Sequence, residues 1–449
     1  MSPSAAPSEQ DEYRIIFLQS GSQEIWAQWV RGALRLPRIA IPSRTRPAEQ
    51  LQLAIEDRWG LRSIVLEILR GNCDSSRCAV IEIPPQAPHN GMTATSIDAI
   101  AYADMTDDAR RTVTEILLNH GLVRRPFSRL GWLDEAREWV QEAVGREVPL
   151  SKEVRQFNAT GDFALLRLGT RDDAGYWLKA TGEPNTHEFG ITKLLAELCT
   201  AYIPPRIAAR EDWNAWVMAD AGEPPNSWTY PELEQAASTM ASLQQRTIGH
   251  RDALLRAGAF DQRLGILRSH LGALFEYLDE SMARQSSTKV PRIESRRLWG
   301  MASRIRDACL LMESLEIPDT LIHNDMNSSN VLLRGKACVF IDWCEAGLGN
   351  PFFTFQQLCL LEQRGREHWT LKLQDAYRRC WLDYLDSFRI DLAFVLAPPL
   401  AILSYLYGRG TWLRSPERNN PRIESQARAL ARHLERATRD QRFLEALCR

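Results

Sequence analysis

The sequence predicts an α+β protein in three parts: a small mixed α+β region, a strand-rich region and a long helical region. Three observations predict it. Short β-branched runs bounded by turn residues crowd the first half of the chain, apolar residues recur at helical spacing from Trp228 onward, and one hairpin pattern interrupts the helical part near its middle.

Composition sets the frame for these parts. The 449 residues are 44% apolar and 25% charged, enough to build two or three ordinary domains. A net charge of -2, from 55 basic and 57 acidic residues with no long single-sign run, leaves no basic patch of the kind that drives nucleic-acid binding. The nine cysteines are scattered, and the closest two, Cys73 and Cys78, lack the accompanying ligands of a zinc site. They read as thiols in a reducing compartment, with Cys344 the one that lies beside candidate chemistry.

The chain opens with a tail over residues 1–11, which has neither the basic nor the apolar segment of a secretion signal. Residues 12–126 form the first predicted unit. IIFL, PRIAIP, SIVLEIL and CAVIEIP read as strands; PAEQLQLAIEDRWG and DDARRTVTEILLNHG read as helices, the second with Ala109, Val113, Ile116 and Leu117 on one face. This order faintly resembles a Nudix-type fold, but Ala54, Asp57 and Arg58 stand where that family's metal-binding acids belong, so a pyrophosphate metal site is not expected. Residues 127–149 are a linker, with Leu133, Ala136, Val140 and Val144 on one side of a helix ending at Gly145.

Residues 150–227 form the strand-rich part. FALLRL and YWLKA are strands around the turn-rich stretch Gly169–Gly175, the second carrying Lys179. With six lysines against forty-nine arginines, a lysine kept in mid-strand stands out. A helix follows from His187, with Glu188 in its first turn. After Tyr202-Ile203-Pro204-Pro205 come a further strand and then Ala215–Met218.

Residues 228–449 are helical, with apolar stripes Leu233, Ala236, Met240, Leu243; Leu264, Leu267, Leu271, Leu274, Leu278; and Leu298, Met301, Ile305, Ala308. The most apolar stretch, Leu392–Gly408, is interrupted by Pro398-Pro399 and reads as a buried helix pair rather than a membrane span. A cytoplasmic protein without membrane or nucleic-acid partners is the expectation.

Within the helical part lies LIHNDMNSSNVLLRGKACVFIDWCEAGLG, Leu321 to Gly349. Asp325 is an acid able to orient or deprotonate a hydroxyl. Asn330, five residues on, and Asp342, after the hairpin VLLRGKACVFI, supply two oxygen ligands for Mg²⁺. Magnesium is a hard ion that keeps several waters and takes further oxygens from nucleotide phosphates, so one amide and one carboxylate are a sufficient protein share. The competing reading makes His323 a core histidine, Asp325 a turn residue and Asn330 a cap.

The segment resembles the catalytic loop and metal-binding strand of the aminoglycoside phosphotransferase and choline kinase-like family, matched at His323, Asp325, Asn330, Ile341, Asp342, Trp343 and, one place later, Glu345. That resemblance implies a bilobal protein-kinase-like fold over the last 300 or so residues, with a β-rich N-lobe and a helical C-lobe. It implies ATP and Mg²⁺ as cofactors, ATP lying between the lobes, and a small hydroxyl-bearing acceptor.

By the same resemblance Lys179 meets the phosphates and Glu188 pairs with it, although Glu188 also has the bland reading of an acid complementing a helix dipole. Backbone groups at Met218, Ala219 and Asp220 meet the adenine edge, and Gln156–Asp162 covers the phosphates, assigned by position only. His323 supports the loop. Glu345 serves a metal-bound water or a cationic acceptor, or is simply a surface acid. Two departures stand out: Asn324 occupies a position where the family has Gly, acceptable because Asn tolerates positive φ, and Asn350 and Thr354 replace two family acids. A nucleotide-binding regulator and a protein kinase are the alternative functions.

Overall fold

The computed structural model describes residues 9–70, 77–85, 91–118, 125–171, 175–335, 337–359, 367–408, 413 and 416–448. Cys73 and the middle of the 169–175 turn lie outside them. The chain divides into two compact units, residues 1–189 with 206–220, and residues 190–205 with 221–449.

The first unit holds two sheets. Seven strands form the first, on the path Ala33–Arg35, Ile25–Val30, Gln10–Leu18, Arg77–Glu82, Ile64–Arg70, with Arg38–Pro42 paired to Gln10–Leu18 and Met92–Thr95 paired to Ile25–Val30. Gln10–Leu18 is buried on both faces. Alternate side chains therefore enter different cores: Tyr13, Ile15 and Phe17 meet Leu51, Ile55 and Trp59 of the helix Pro47–Trp59, while Ile16 and Leu18 point to the other side.

That other core is shared with the second sheet. It joins Ile16 and Leu18 to Val113 of the helix Asp107–Leu117, to Trp132, Ala136 and Val140 of the helix Trp132–Val144, and to Leu166, Leu178 and Val217. The linker helix thus buries Trp132 where the periodicity pointed to Leu133. A tryptophan at the first turn covers more apolar area than the leucine beside it.

The second sheet is antiparallel, in the order Arg206–Arg210, Ala215–Ala219, Gly175–Ala180, Phe163–Thr170, Leu150–Thr160. Its last member corrects the sequence reading: most of the expected phosphate-covering loop, Gln156 to Thr160, is strand, and only Gly161-Asp162 turns. Bulges break the pairing of this strand in two places, which obscures its period-two pattern.

The second unit is helical around one large core. The predicted stripes are buried in the helices Tyr230–Arg246, Leu264–Ser269, Leu271–Ala283 and Ser295–Ser314. One expectation is corrected. Ser387–Tyr407 is a single helix running through Pro398 and Pro399, not a pair. Proline's fixed φ is already helical, and burial of Ile390, Phe394, Leu396, Leu400, Leu403 and Leu406 offsets the lost backbone hydrogen bonds. By length and composition this helix could cross a membrane, yet 61% of its apolar window is buried inside the protein.

Two small β elements complete this unit. Thr320–His323 pairs antiparallel with Ala346–Gly349, which also pairs in parallel with Phe260–Asp261; Val331–Arg334 and Ala337–Phe340 form the expected hairpin.

Candidate active site

In the first unit, Lys179 sits on the central strand of the five-stranded sheet, in register with Leu165 on one side and Trp216 on the other. Its ammonium is 2.5 Å from Glu188 Oε1 and 5.8 Å from the centre of the Trp216 ring. Both partners are buried, Glu188 to 1% exposure. A carboxylate used only for the helix dipole has no reason to be buried against a lysine; here it fixes where the ammonium points.

The proposed adenine-side residues divide. Met218 is in register with both Trp177 and Arg206, so it lies within the sheet, and Ala219 closes the strand. Asp220 donates its backbone N–H to Gly175 O at 3.0 Å, and its carboxylate accepts from Arg167 Nε at 3.2 Å and Nη2 at 3.0 Å. That N–H is spent inside the protein. Asp220 therefore fastens the end of the sheet instead of offering a donor to a base.

In the second unit the catalytic-loop candidates converge. His323 is 1% exposed. Its Nδ1 accepts the Asp325 N–H at 3.3 Å, so its Nε2 carries the proton and donates to Ile341 O at 3.0 Å. One histidine thereby holds the loop and the end of the hairpin together. Asn330 directs its amide nitrogen to Asp325 O at 2.8 Å and to Asp325 Oδ2 at 3.2 Å, while Asn327 Nδ2 reaches Asp325 Oδ1 at 3.1 Å. Each carboxylate oxygen of Asp325 accepts one amide, which fixes its plane.

The hairpin does what its sequence demands. Gly335 takes φ +60 at the turn, and Ile341 N–H donates to Asn330 O at 3.1 Å, so Asp342 emerges next to Asn330. Asp342 itself has φ 64 and ψ 66. A left-handed carboxylate-bearing residue costs about 1–3 kcal/mol and persists only where its surroundings hold it. With its N–H₂ committed to Asp325, Asn330 has only its oxygen left to offer, and that oxygen with the Asp342 carboxylate is a hard donor set suited to Mg²⁺.

The departures from the family pattern acquire partners. Asn324 is not among the positive-φ residues, contrary to expectation; it is buried, donating to Glu345 O at 2.9 Å and to Gln262 Oε1. Glu345 is half-buried and contributes that carbonyl. Asn350 Oδ1 accepts Phe352 N–H at 3.0 Å, the predicted Asx turn. Thr354, 1% exposed, accepts His323 N–H on its hydroxyl at 3.0 Å. Sequence reasoning missed Gln262, Asn327 and the use of Thr354. Only Asn327 leaves a trace in the sequence, as an Asn two residues before the loop's second Ser.

Residues 229–389 match the model described as the phosphotransferase enzyme family. This likeness in sequence is confined to that segment. The segment contains the whole Asp325–Asn330 loop and the Asp342 turn.

No curated protein matches the chain. Among solved structures, an ethanolamine kinase of Plasmodium vivax aligns at 13% identity and TM-score 0.47 over 76% of this chain and 97% of that one. The macrolide 2'-phosphotransferase MphH of Brachybacterium faecium aligns at 15% identity and TM-score 0.43 over 65% of this chain and 97% of its own. The ADP-bound aminoglycoside phosphotransferase APH(2'')-Ib gives 12% identity and TM-score 0.44 over 67% of this chain and 98% of its own.

Proposed function

We propose that this protein is a small-molecule kinase that moves the γ-phosphoryl group of ATP to a hydroxyl of a small acceptor, with Mg²⁺ as cofactor. The observation that carries the reading is the Asp325 carboxylate held by two amides, Asn327 and Asn330, with Asp342 delivered beside Asn330 by the hairpin. The phosphotransferase family match over residues 229–389 supports it.

In this reading Asp325 orients the acceptor hydroxyl for in-line attack and accepts its proton as the new P–O bond forms and the bond from the γ-phosphorus to the bridging oxygen breaks, releasing ADP. Its plane is fixed before substrate arrives, so little reorganisation is needed. Lys179, aimed by Glu188, offers its ammonium to the phosphates. Asn330 and Asp342 would hold magnesium, which neutralises phosphate charge. His323, whose two ring nitrogens are engaged by Asp325 N–H and Ile341 O, serves to anchor the loop. The reading keeps the expectation, drawn from the scattered cysteines of the sequence, of a reducing, cytoplasmic setting.

The test is transfer of labelled γ-phosphate to a panel of amino alcohols, sugars and aminoglycosides, set against a protein acceptor. Label on a small molecule in wild type and none with Asp325→Ala supports the reading; label only on protein favours a protein kinase.

A further inference from the structure

Behind the catalytic loop lies a buried amide relay that no step above uses. Gln262 follows the short strand Phe260–Asp261 and is 0% exposed; Asn324 is 3% exposed. Gln262 donates its backbone N–H to Leu348 O at 2.9 Å and its Nε2 to Ser404 O at 2.8 Å. Its Oε1 accepts from Asn324 Nδ2, whose other hydrogen goes to Glu345 O at 2.9 Å. Both hydrogens of the Asn324 amide are thus used, one on Gln262 and one on Glu345.

The backbone around the relay is cut to fit it. A Cβ at Gly347 would overlap Gln262 Oε1, and one at Gly349 would lie 2.9 Å from Gln262 O. Gly347 and Gly349 are two of the four residues of the strand that pairs with Thr320–His323. Asn324 is the residue immediately before Asp325, and Glu345 is three beyond Asp342. The relay therefore ties the base loop and the metal turn to each other and to the helix Ser387–Tyr407 through Ser404.

We infer that Gln262 is a positioning residue for phosphoryl transfer, acting through Asn324 to hold Asp325 in register with the Asp342–Glu345 turn; this rests on the reading given under Proposed function. A surface-exposed amide would bring water-competed bonds of small effect. A buried pair has no water to replace a lost partner, so removing either side frees the loop to shift. A displacement of about 1 Å at a catalytic group costs up to roughly a hundredfold in rate.

The experiment compares Gln262→Leu, Asn324→Gly and the double variant with wild type, at a temperature where circular dichroism shows all four folded. Turnover of MgATP with water as acceptor is measured alongside hydrogen exchange of the full chain. The expected result is a roughly tenfold to hundredfold fall in kcat for each single variant with KM for MgATP unchanged. The double variant should lose no more than the worse single one, and faster exchange should be confined to residues 323–330 and 345–349. Unchanged kcat and exchange in both single variants, or losses that multiply in the double, overturn the inference. If wild type turns over no MgATP with water or with any acceptor of the panel named under Proposed function, the phosphotransfer reading fails on its own. The relay is then judged by exchange alone: acceleration confined to those two segments supports it and its absence overturns it.

Discussion

The Thr354 hydroxyl accepts the backbone N–H of His323 at 3.0 Å, with both residues 1% exposed. A neutral hydroxyl thus supplies the acceptor for this buried N–H. Thr354→Val keeps the shape and deletes the acceptor, leaving a buried N–H unsatisfied at a cost of about 1–3 kcal/mol. Urea denaturation should show that loss at unchanged m-value; a midpoint equal to wild type would remove Thr354 from the loop's support.

Glu188 and Lys179 are both buried, so breaking their pair is costly while replacing it is not. Glu188→Ala should destabilise by about 1–3 kcal/mol, because the buried Lys179 ammonium loses the carboxylate 2.5 Å from it. The double variant Glu188→Leu with Lys179→Met should recover much of the stability and none of the nucleotide turnover. Calorimetric unfolding beside an ATP turnover assay separates the two effects.

Asp342→Ala should abolish the metal-dependent part of nucleotide binding. At a hundred times its Kd, a ligand adds about 2.7 kcal/mol to stability. Thermal unfolding with ATP, and with ATP plus Mg²⁺, should show a joint stabilisation in wild type that shrinks to the ATP-alone level in the variant. An identical shift in both proteins would argue that Asp342 holds no metal.

Asp325→Ala should remove phosphoryl transfer and leave ATP binding largely intact, since in the proposed reading its carboxylate, held by Asn327 and Asn330, serves the acceptor hydroxyl and not the nucleotide. Binding measured by equilibrium dialysis and transfer measured by labelled phosphate should dissociate. Retained turnover would falsify the role of Asp325.

Burial raises the carboxyl of Glu82, whose Oε1 accepts from Ser20 at 2.7 Å and from Gly131 N–H at 2.8 Å. An acid with a raised folded pKa binds its proton more tightly when folded. Its ionisation therefore costs stability as the pH climbs from the unfolded pKa through the folded one, and the cost stays above it. Glu82→Gln keeps the acceptor oxygen and cannot ionise. It should be more stable than wild type near neutral pH, with the gap closing as the pH falls to about 4. Urea midpoints of both proteins across that range test the sign.

The sequence alone determined the parts whose signals are local. Periodicity of two or near 3.6 marked Phe163–Leu168, Tyr176–Ala180, the helix at His187–Leu198 and the stripes of the helical unit, because burial of one face leaves its imprint on consecutive residues. The hairpin between Asn330 and Asp342 was legible for the same reason: two apolar strands flank a glycine whose turn needs positive φ.

Tertiary structure alone decided what depends on residues far apart in the chain. That Pro398 and Pro399 lie inside one helix follows from the core around it, which outweighs the local cost of proline. The sharing of one core by the N-terminal strands and the five-stranded sheet, and the commitment of Asp220 to Gly175 and Arg167, are contacts between segments with no common period. The Gln262 relay is the clearest case. A glutamine 62 residues before Asn324 carries no local pattern, since what matters is a buried amide finding its partner after the chain has folded.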